Sequence, residues 1–489
     1  MGTGHALATA LDDYVAAADP AYGYSVASSV SGPGYRMDVL SMTSQSWRSA
    51  QEVDRTVWRH WLTIYVPDVV SSSTALLWIN GGSNTDAAPA APDATLAGMA
   101  AATKTVVADL RMVPNQPLVF AGDGRQRSED AIIAYSFDRY MATGDANWPV
   151  LLPMVKSAVR AMDTVQAHLR SSSRRPTEIK QFVVSGASKR GWTTWLSAAV
   201  DPRVVAAAPL VIDVLNMGTQ MRHHLSAYGF YSEAIQDYVD LHVFERLGTP
   251  EGLRLQAIVD PYVYRGRYTL PKCLINSSGD QFFLPDSAQF YVHDLPGPTV
   301  LRYCPNTDHS LGSPDAAQAV LAFYRSVLTG LARPEFSWTV DPNDRIVVRT
   351  VTRPSKVRLW QATNPHARDF RLETLGKAWT SSDLASQEPN VYVAGVPKPA
   401  TGWTAFFAEL TFGTGPAVST FTTEIRVVPE CLPYAYRFGL NDDLDVDLAD
   451  VAVLAAHWLT EGPAGDIAPA CGDGWVDFQD YTTLVSEME

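Results

Sequence analysis

Apolar and polar positions follow one rhythm over the first two-thirds of the chain. Tyr35 to Met42 and Trp58 to Val66 are rich in β-branched and aromatic residues and follow an opening helix; Pro67 and Asp68 end the second run. Thr74 to Ile79 is an unbroken apolar run, as a strand buried on both faces requires. Further strands are predicted at Thr105 to Asp109, Ile179 to Val184, Val204 to Ile212, Lys272 to Ser277 and Thr299 to Cys304. Between them, helical spacing predicts helices over Glu129 to Met141, from Pro149 through Leu169, over Trp192 to Val200, from Ser287, and over Pro314 to Thr329. Alternating strands and helices imply a mostly parallel sheet covered on both faces, an α/β class.

The rhythm breaks twice. From Leu215 to Gly266 aromatics crowd together, and Ser232 to Leu247 has an amphipathic helical pattern; this stretch reads as a helical cap over the C-terminal edge of the sheet, where open α/β sheets bind ligands. After Gly330 short strand-like runs, Phe336 to Val340, Arg345 to Val351, Val357 to Trp360, Val391 to Val396, Ala405 to Thr411 and Thr420 to Val427, predict a β-sandwich. The last sixty or so residues repeat an acidic loop followed by a helix. Three units follow: 1–334 with a cap at about 215–266, 335–429, and 430–489.

Composition narrows the partners. The 489-residue chain carries a formal charge of -14, and no basic run could grip phosphates, which excludes nucleic acid. No apolar stretch reaches the ~18 residues of a membrane span. The N-terminus lacks a charged segment followed by an apolar core, so no signal peptide is read in this sequence. Cys431 and Cys471 could bridge and close the tail; Cys273 and Cys304 read as buried thiols on strands that could be neighbours.

Candidate chemistry centres on Gly186-Ala187-Ser188-Lys189-Arg190-Gly191, set between a strand and a helix. That context exposes a serine at the top of a parallel sheet, although the second glycine stands one residue later than in G-x-S-x-G. Ser188 alone could be a helix cap. Asp280 and His309 also follow predicted strands, and the order Ser, Asp, His is that of α/β-hydrolases. Such a set gives a nucleophile, a base near neutral pKa and an acid that orients the base. Oxyanion donors are expected from Lys189 N–H and from Gly82 or Ser83 in Asn80-Gly-Gly-Ser-Asn84, which could equally be a plain turn. Asp286 is a rival acid, and Asp280 could instead cap a helix. The Lys189 and Arg190 side chains read as ion-paired. His223-His224 lacks partners at ligand spacing, which speaks against a metal there.

Several stretches together resemble the PhoPQ-activated pathogenicity-related family: Val113-Pro-Asn-Gln-Pro-Leu118, Arg127-Ser-Glu-Asp-Ala-Ile-Ile-Ala-Tyr135, Gly186 to Trp195, Val259-Asp-Pro-Tyr262, Gly279-Asp-Gln-Phe-Phe-Leu-Pro-Asp286 and Pro305-Asn-Thr-Asp-His-Ser310. The resemblance runs over roughly 10–425. It implies an α/β-hydrolase fold with a triad of Ser188, Asp280 and His309, a late glycine as the family's own form of the turn, and a β domain containing Leu359 to Pro365 and Arg368 to Arg371. It does not imply a substrate. The tail resembles dockerin-type repeats, which are EF-hand-like calcium sites. Asn441, Asp443, Asp445 and Asp450, then Asp473, Asp477 and Asp480, would offer oxygen ligands, although Gly439 and Leu444 in the first loop and Pro469 and Cys471 in the second depart from the pattern. The alternative is a pair of Asp-capped helices packed together. Such tails attach an extracellular enzyme to a partner or surface.

These readings combine into a secreted or periplasmic serine hydrolase. It would be an esterase working through an acyl-enzyme without a catalytic cofactor, on a small-molecule, carbohydrate-linked or aromatic ester. Two alternatives stand beside it: a binding or signalling protein on a hydrolase scaffold, and a peptidase or amidase.

Overall fold

The computed structural model describes residues 8–172, 177–312, 314–330, 332–414, 418–435, 440, 446–462, 464–468, 471–472 and 474–488. Helix α1 (Ala10–Ala16) is capped by Thr9 and leads into an antiparallel run, β1 (Gly23–Gly32), β2 (Tyr35–Ser46) and β3 (Val57–Pro67). Then β4 (Thr74–Ile79), α2 (Ala94–Thr103) and β5 (Val107–Leu110) begin the alternation. A small hairpin, β6 (Leu118–Val119) and β7 (Gln126–Arg127), precedes α3 (Asp130–Thr143) and α4 (Leu151–Arg170). The core continues through β8 (Gln181–Ala187), α5 (Lys189–Val200) and β9 (Val204–Leu210).

The cap contains α6 (Met217–Tyr228), α7 (Gln236–Val239) and α8 (Pro250–Val259). The helix predicted over Ser232 to Leu247 is not continuous: a 3-10 turn and the four-residue α7 give way to turns. His242 takes φ 52°, outside the right-handed helical region, and Arg246 captures the Leu241 carbonyl at 2.6 Å. Tyr231 and Tyr238 both pack on Phe244, with centroids 4.8 and 5.5 Å apart, so tertiary stacking overrides the helical period. The pattern from Ser287 likewise yields only two short 3-10 turns.

Strands β10 (Lys272–Ser277) and β11 (Thr299–Cys304) and helix α9 (Pro314–Thr329) complete the expected unit. Strands β4, β5, β8, β9, β10 and β11 run parallel. One apolar cluster holds α3, α4, α5 and the cap on one face; the other holds α2 and α9. Cys273 and Cys304 are buried free thiols on the paired strands β10 and β11.

The strands after Gly330 do not form a free-standing sandwich. Of the remaining strands, β12 (Phe336–Val340), β13 (Ile346–Thr350) and β16 (Val391–Ala394) form a separate sheet. In contrast β14 (Lys356–Asn364), β15 (Thr380–Asp383), β17 (Trp403–Phe412), β18 (Ser419–Thr422) and β19 (Arg426–Val428) extend the central sheet, whose order is β1-β2-β3-β5-β4-β8-β9-β10-β11-β18-β17-β14-β15 with β19 on β17. The open edge of β11 would otherwise leave its backbone groups unpaired, and β18 covers it. Ile346 and Val348 share a core with Phe406, Ala408 and Phe323 of α9.

The tail begins at a disulfide between Cys431 and Cys471. Leu432 packs on Ala227, Tyr228 and Leu284, which ties the tail to the cap. Helices α10 (Leu448–Ala456) and α11 (Phe478–Val485) meet around Leu454, Val476 and Leu484. Asp447 and Asp477 cap them, with Asp450 and Asp480 closing each capping box. Asp450 also accepts Leu440 N–H, and Asp480 accepts Ile467 and Ala468 N–H, at 2.5 to 2.8 Å. Among the proposed calcium ligands, Asp450, Asp477 and Asp480 thus cap helices, while Asn441, Asp443, Asp445 and Asp473 lie outside the described residues. Among the described residues no group of three or more His, Cys, Asp or Glu side chains is placed to hold a metal.

One buried ion pair crosses the β11 edge: Arg302 donates to Glu409 of β17 at 2.6 Å, both side chains being under a tenth exposed. Glu409→Leu leaves the buried guanidinium only Asp315, at 3.6 Å, among the described acidic residues, and is expected to lower unfolding free energy by about 3–5 kcal/mol, measured by urea denaturation. A loss under 1 kcal/mol would mean that the pair does not brace the junction.

Candidate active site

Ser188 sits at the turn from β8 into α5 with φ 58° and ψ -128°, a conformation rarely adopted by residues bearing a Cβ. Its N–H is held by Leu210 O of β9 at 2.8 Å. The glycines at either side let strand and helix close up. A Cβ on Gly186 would lie 2.8 Å from Arg190 O; one on Gly191 would lie 2.7 Å from the Ile212 side chain. The glycine at 191, not at 190, is therefore the one this turn needs.

Folding joins the three expected residues. Asp280 follows β10 and His309 follows β11. His309 Nδ1 faces both Asp280 carboxylate oxygens, at 2.8 and 3.0 Å, so that nitrogen carries the proton and donates. Nε2 is left as acceptor, and Ser188 Oγ–H donates to it at 2.8 Å. Asp280 also accepts Phe282 N–H at 2.7 Å, and the Phe282 ring lies 4.1 Å from the imidazole, centroid to centroid. The rival Asp286 is elsewhere: it accepts from His223 at 3.0 Å and Arg368 at 2.7 Å in a fully buried cluster. Burial works against its ionisation, but Arg368 and His223 outweigh that and hold the carboxyl well below the usual range. His224 accepts Ser232 N–H, so both adjacent histidines are engaged in packing the cap.

Of the expected oxyanion donors, Lys189 N–H opens the first turn of α5, where helices leave donors unpaired. Gly82, at φ 139°, makes no N–H hydrogen bond among the described residues, whereas Ser83 N–H is committed to Asp86 at 2.8 Å. Gly82 is thus the better second donor.

Several supporting residues were not read from the sequence. Glu129, itself at φ 54°, clamps the turn from outside: it pairs Lys189 at 2.8 Å and Arg190 at 2.7 Å. Burial opposes its charge, yet Arg190 and Lys189 hold the carboxyl down to about 2. Lys189 also pairs Asp130 at 2.9 Å. A strap from the β region, 368–379, braces the acid and base loops. Leu372 N–H donates to Gly279 O at 3.0 Å; Asn306 and Trp379 exchange two hydrogen bonds, at 2.9 and 3.0 Å. The stretches holding Glu129, Asn306 and Arg368 were visible as family motifs, but no local pattern reveals their roles.

A narrow apolar cavity of about 40 Å³ adjoins Ser188, walled by α3, α5 and the cap. Beyond it, Asp213 at the end of β9 is fully buried and accepts from the Tyr291 and Tyr303 hydroxyls. Burial pushes its carboxyl up to about 7 even so.

Known proteins resemble this chain at two levels. Solved structures with a similar course include acetyl xylan esterase 1 from Thermoanaerobacterium sp. JW/SL YS485 (15% identical, 61% of this chain and 86% of that one, TM-score 0.41). An acetyl xylan esterase from Paenibacillus sp. R4 is also 15% identical, over 65% of this chain and 91% of that one, with a TM-score of 0.43. In sequence, autocrine proliferation repressor protein A of Dictyostelium discoideum is 37% identical over 456 residues, 87% of this chain and 92% of that protein. The pattern of the PhoPQ-activated pathogenicity-related proteins matches residues 11–371. On both counts the chain belongs to the PhoPQ-activated pathogenicity-related protein family.

Proposed function

We propose that this protein is a serine esterase that hydrolyses carboxylic esters through an acyl-enzyme. The observation that carries the reading is the unbroken relay from Ser188 Oγ through His309 to Asp280. Ser188 attacks the ester carbonyl while His309 Nε2 takes its proton. Asp280 stabilises the imidazolium that results and keeps its tautomer fixed. The Lys189 and Gly82 N–H groups supply charge stabilisation at the carbonyl oxygen. His309 then protonates the departing alcohol, and water repeats the sequence in reverse to free the acid. No cofactor is needed.

The tail disulfide supports export, because such bonds persist in oxidising compartments. Exposed Leu448, Trp475 and Phe478 on the tail support a partner or surface there. Among the described residues no helix is long and apolar enough to cross a membrane. The second reading is a regulatory protein that binds without turnover, favoured by the name of the slime-mould relative.

Ser188→Ala separates the two. On p-nitrophenyl acetate the wild type should exceed the variant by roughly 10⁴-fold or more in kcat; equal background rates would leave the binding reading standing. A p-nitroanilide series run alongside should be turned over far more slowly than the ester, and the opposite order would mark a peptidase. Asn306→Ala cuts one anchor of the base loop, and kcat should fall roughly 10- to 100-fold with KM nearly constant. An unchanged kcat would show that the strap does not position His309.

Asp213 generates a pH prediction. Its folded pKa lies above the unfolded value, so the native state keeps a proton that the unfolded chain has lost. Stability should therefore fall as pH rises from about 4 to about 7, by up to about 1.4 kcal/mol per pH unit, and then level off. Asp213→Asn should flatten that slope in urea titrations at stepped pH, most clearly between about pH 6 and 7, because Asp260, which burial raises to about 6, contributes at the lower end. An identical slope in the variant would assign it to other groups.

A further inference from the structure

The cavity beside Ser188 has a definite size and chemistry. About 40 Å³ accommodates roughly three water-sized groups, which corresponds to a chain of about two to four carbons. Its walls are apolar: Trp192 from α5, Met217 and Met221 from α6, Tyr238 and Phe244 from the rest of the cap, and Phe282 beside His309. The polar groups that reach it are already satisfied. Asp130 accepts from Tyr238 at 3.0 Å and pairs Lys189 at 2.9 Å, and Trp192 Nε1–H donates to Val259 O at 2.6 Å. A hydroxyl or charge placed in this cavity would lose its water against walls that are mostly apolar.

Resting on the esterase reading, we infer that this cavity is the acyl pocket and that it selects a short, unsubstituted acyl group, from acetyl to butyryl, so that any sugar or aromatic ring belongs to the alcohol. The order of events requires this assignment. The alcohol must leave for solvent after the first step, while the acyl group stays on Ser188 Oγ until water arrives. A narrow cavity against the nucleophile suits the part that stays. Its narrow, apolar bore suits a short chain better than a sugar acid, whose hydroxyls would lose their water there, or an aromatic acid.

The test compares kcat/KM for p-nitrophenyl acetate, butyrate and octanoate and for the methyl ester of glucuronic acid, with Ser188→Ala as background. Acetate and butyrate should lead, octanoate should fall roughly 100-fold below them, and methyl glucuronate should stay at background. Met221→Ala deepens the pocket and should raise the octanoate-to-acetate ratio about tenfold. Met217→Ala gives the same test should the first variant fail to fold, as judged by circular dichroism. Octanoate or methyl glucuronate as the preferred wild-type substrate, or an unmoved ratio in a folded variant, overturns the acyl assignment and leaves the esterase intact. No turnover of any ester above the Ser188→Ala background overturns the esterase reading and the assignment with it.

Discussion

The backbone of Ser188 is the constraint on which the site depends. A residue with a Cβ at φ 58° is held there at a cost of order 1–3 kcal/mol, and it persists only if its surroundings leave no relaxed alternative. Those surroundings are specific. Gly186 and Gly191 permit contact that any side chain would block, and the Leu210 carbonyl fixes the Ser188 amide. Glu129 then grips the two residues that follow, from a backbone of nearly the same unusual shape. Relaxing the turn would break the Glu129 pairs, the α5 first turn and the Ser188–His309 hydrogen bond together.

The acid and base are fixed differently, by loops that lean on each other. Gly279 N–H donates to Thr307 O at 3.1 Å, so the segments carrying Asp280 and His309 are one hydrogen-bonded unit. The strap holds that unit from behind, and the buried Asp286 cluster pins its far end to the cap. The β region that supplies the strap shares both sheet and core with the parallel strands. Residues 368–379 therefore belong to the active site in a physical sense, although none of them touches Ser188 or His309 in the relay.

The parallel core and the triad were legible in the sequence because each has a one-dimensional signature. Doubly buried strands read as continuous apolar runs, as at Thr74 to Ile79, and Ser188, Asp280 and His309 stand just past where such runs stop. Helix α5 was read from Trp192 but begins at Lys189, since nothing in Ser-Lys-Arg-Gly announces a helix that starts at a strained serine. The Ser232 to Leu247 pattern misled because aromatic stacking, not backbone propensity, decides that stretch. Likewise, strand-like runs after Gly330 show that strands exist but not which edge they join; pairing of β18 with β11 is settled by an edge that only the folded sheet presents. Glu129 and Asn306 act across about 60 and 70 residues, on Arg190 and Trp379, and spacing carries no trace of such contacts.

The choice between an enzyme and a catalytically silent scaffold can be argued from what the fold stores. A binding surface needs exposed, complementary groups. It gains nothing from a serine in a strained turn, from an imidazole locked in one tautomer between a carboxylate and a hydroxyl, or from a Gly82 amide that makes no hydrogen bond among the described residues. The strained serine costs stability, and on the esterase reading proposed above the three features act together on a carbonyl group under attack. On that reading the apolar cavity at the nucleophile is a place for the acyl group to wait, with its wall polar groups engaged in hydrogen bonds.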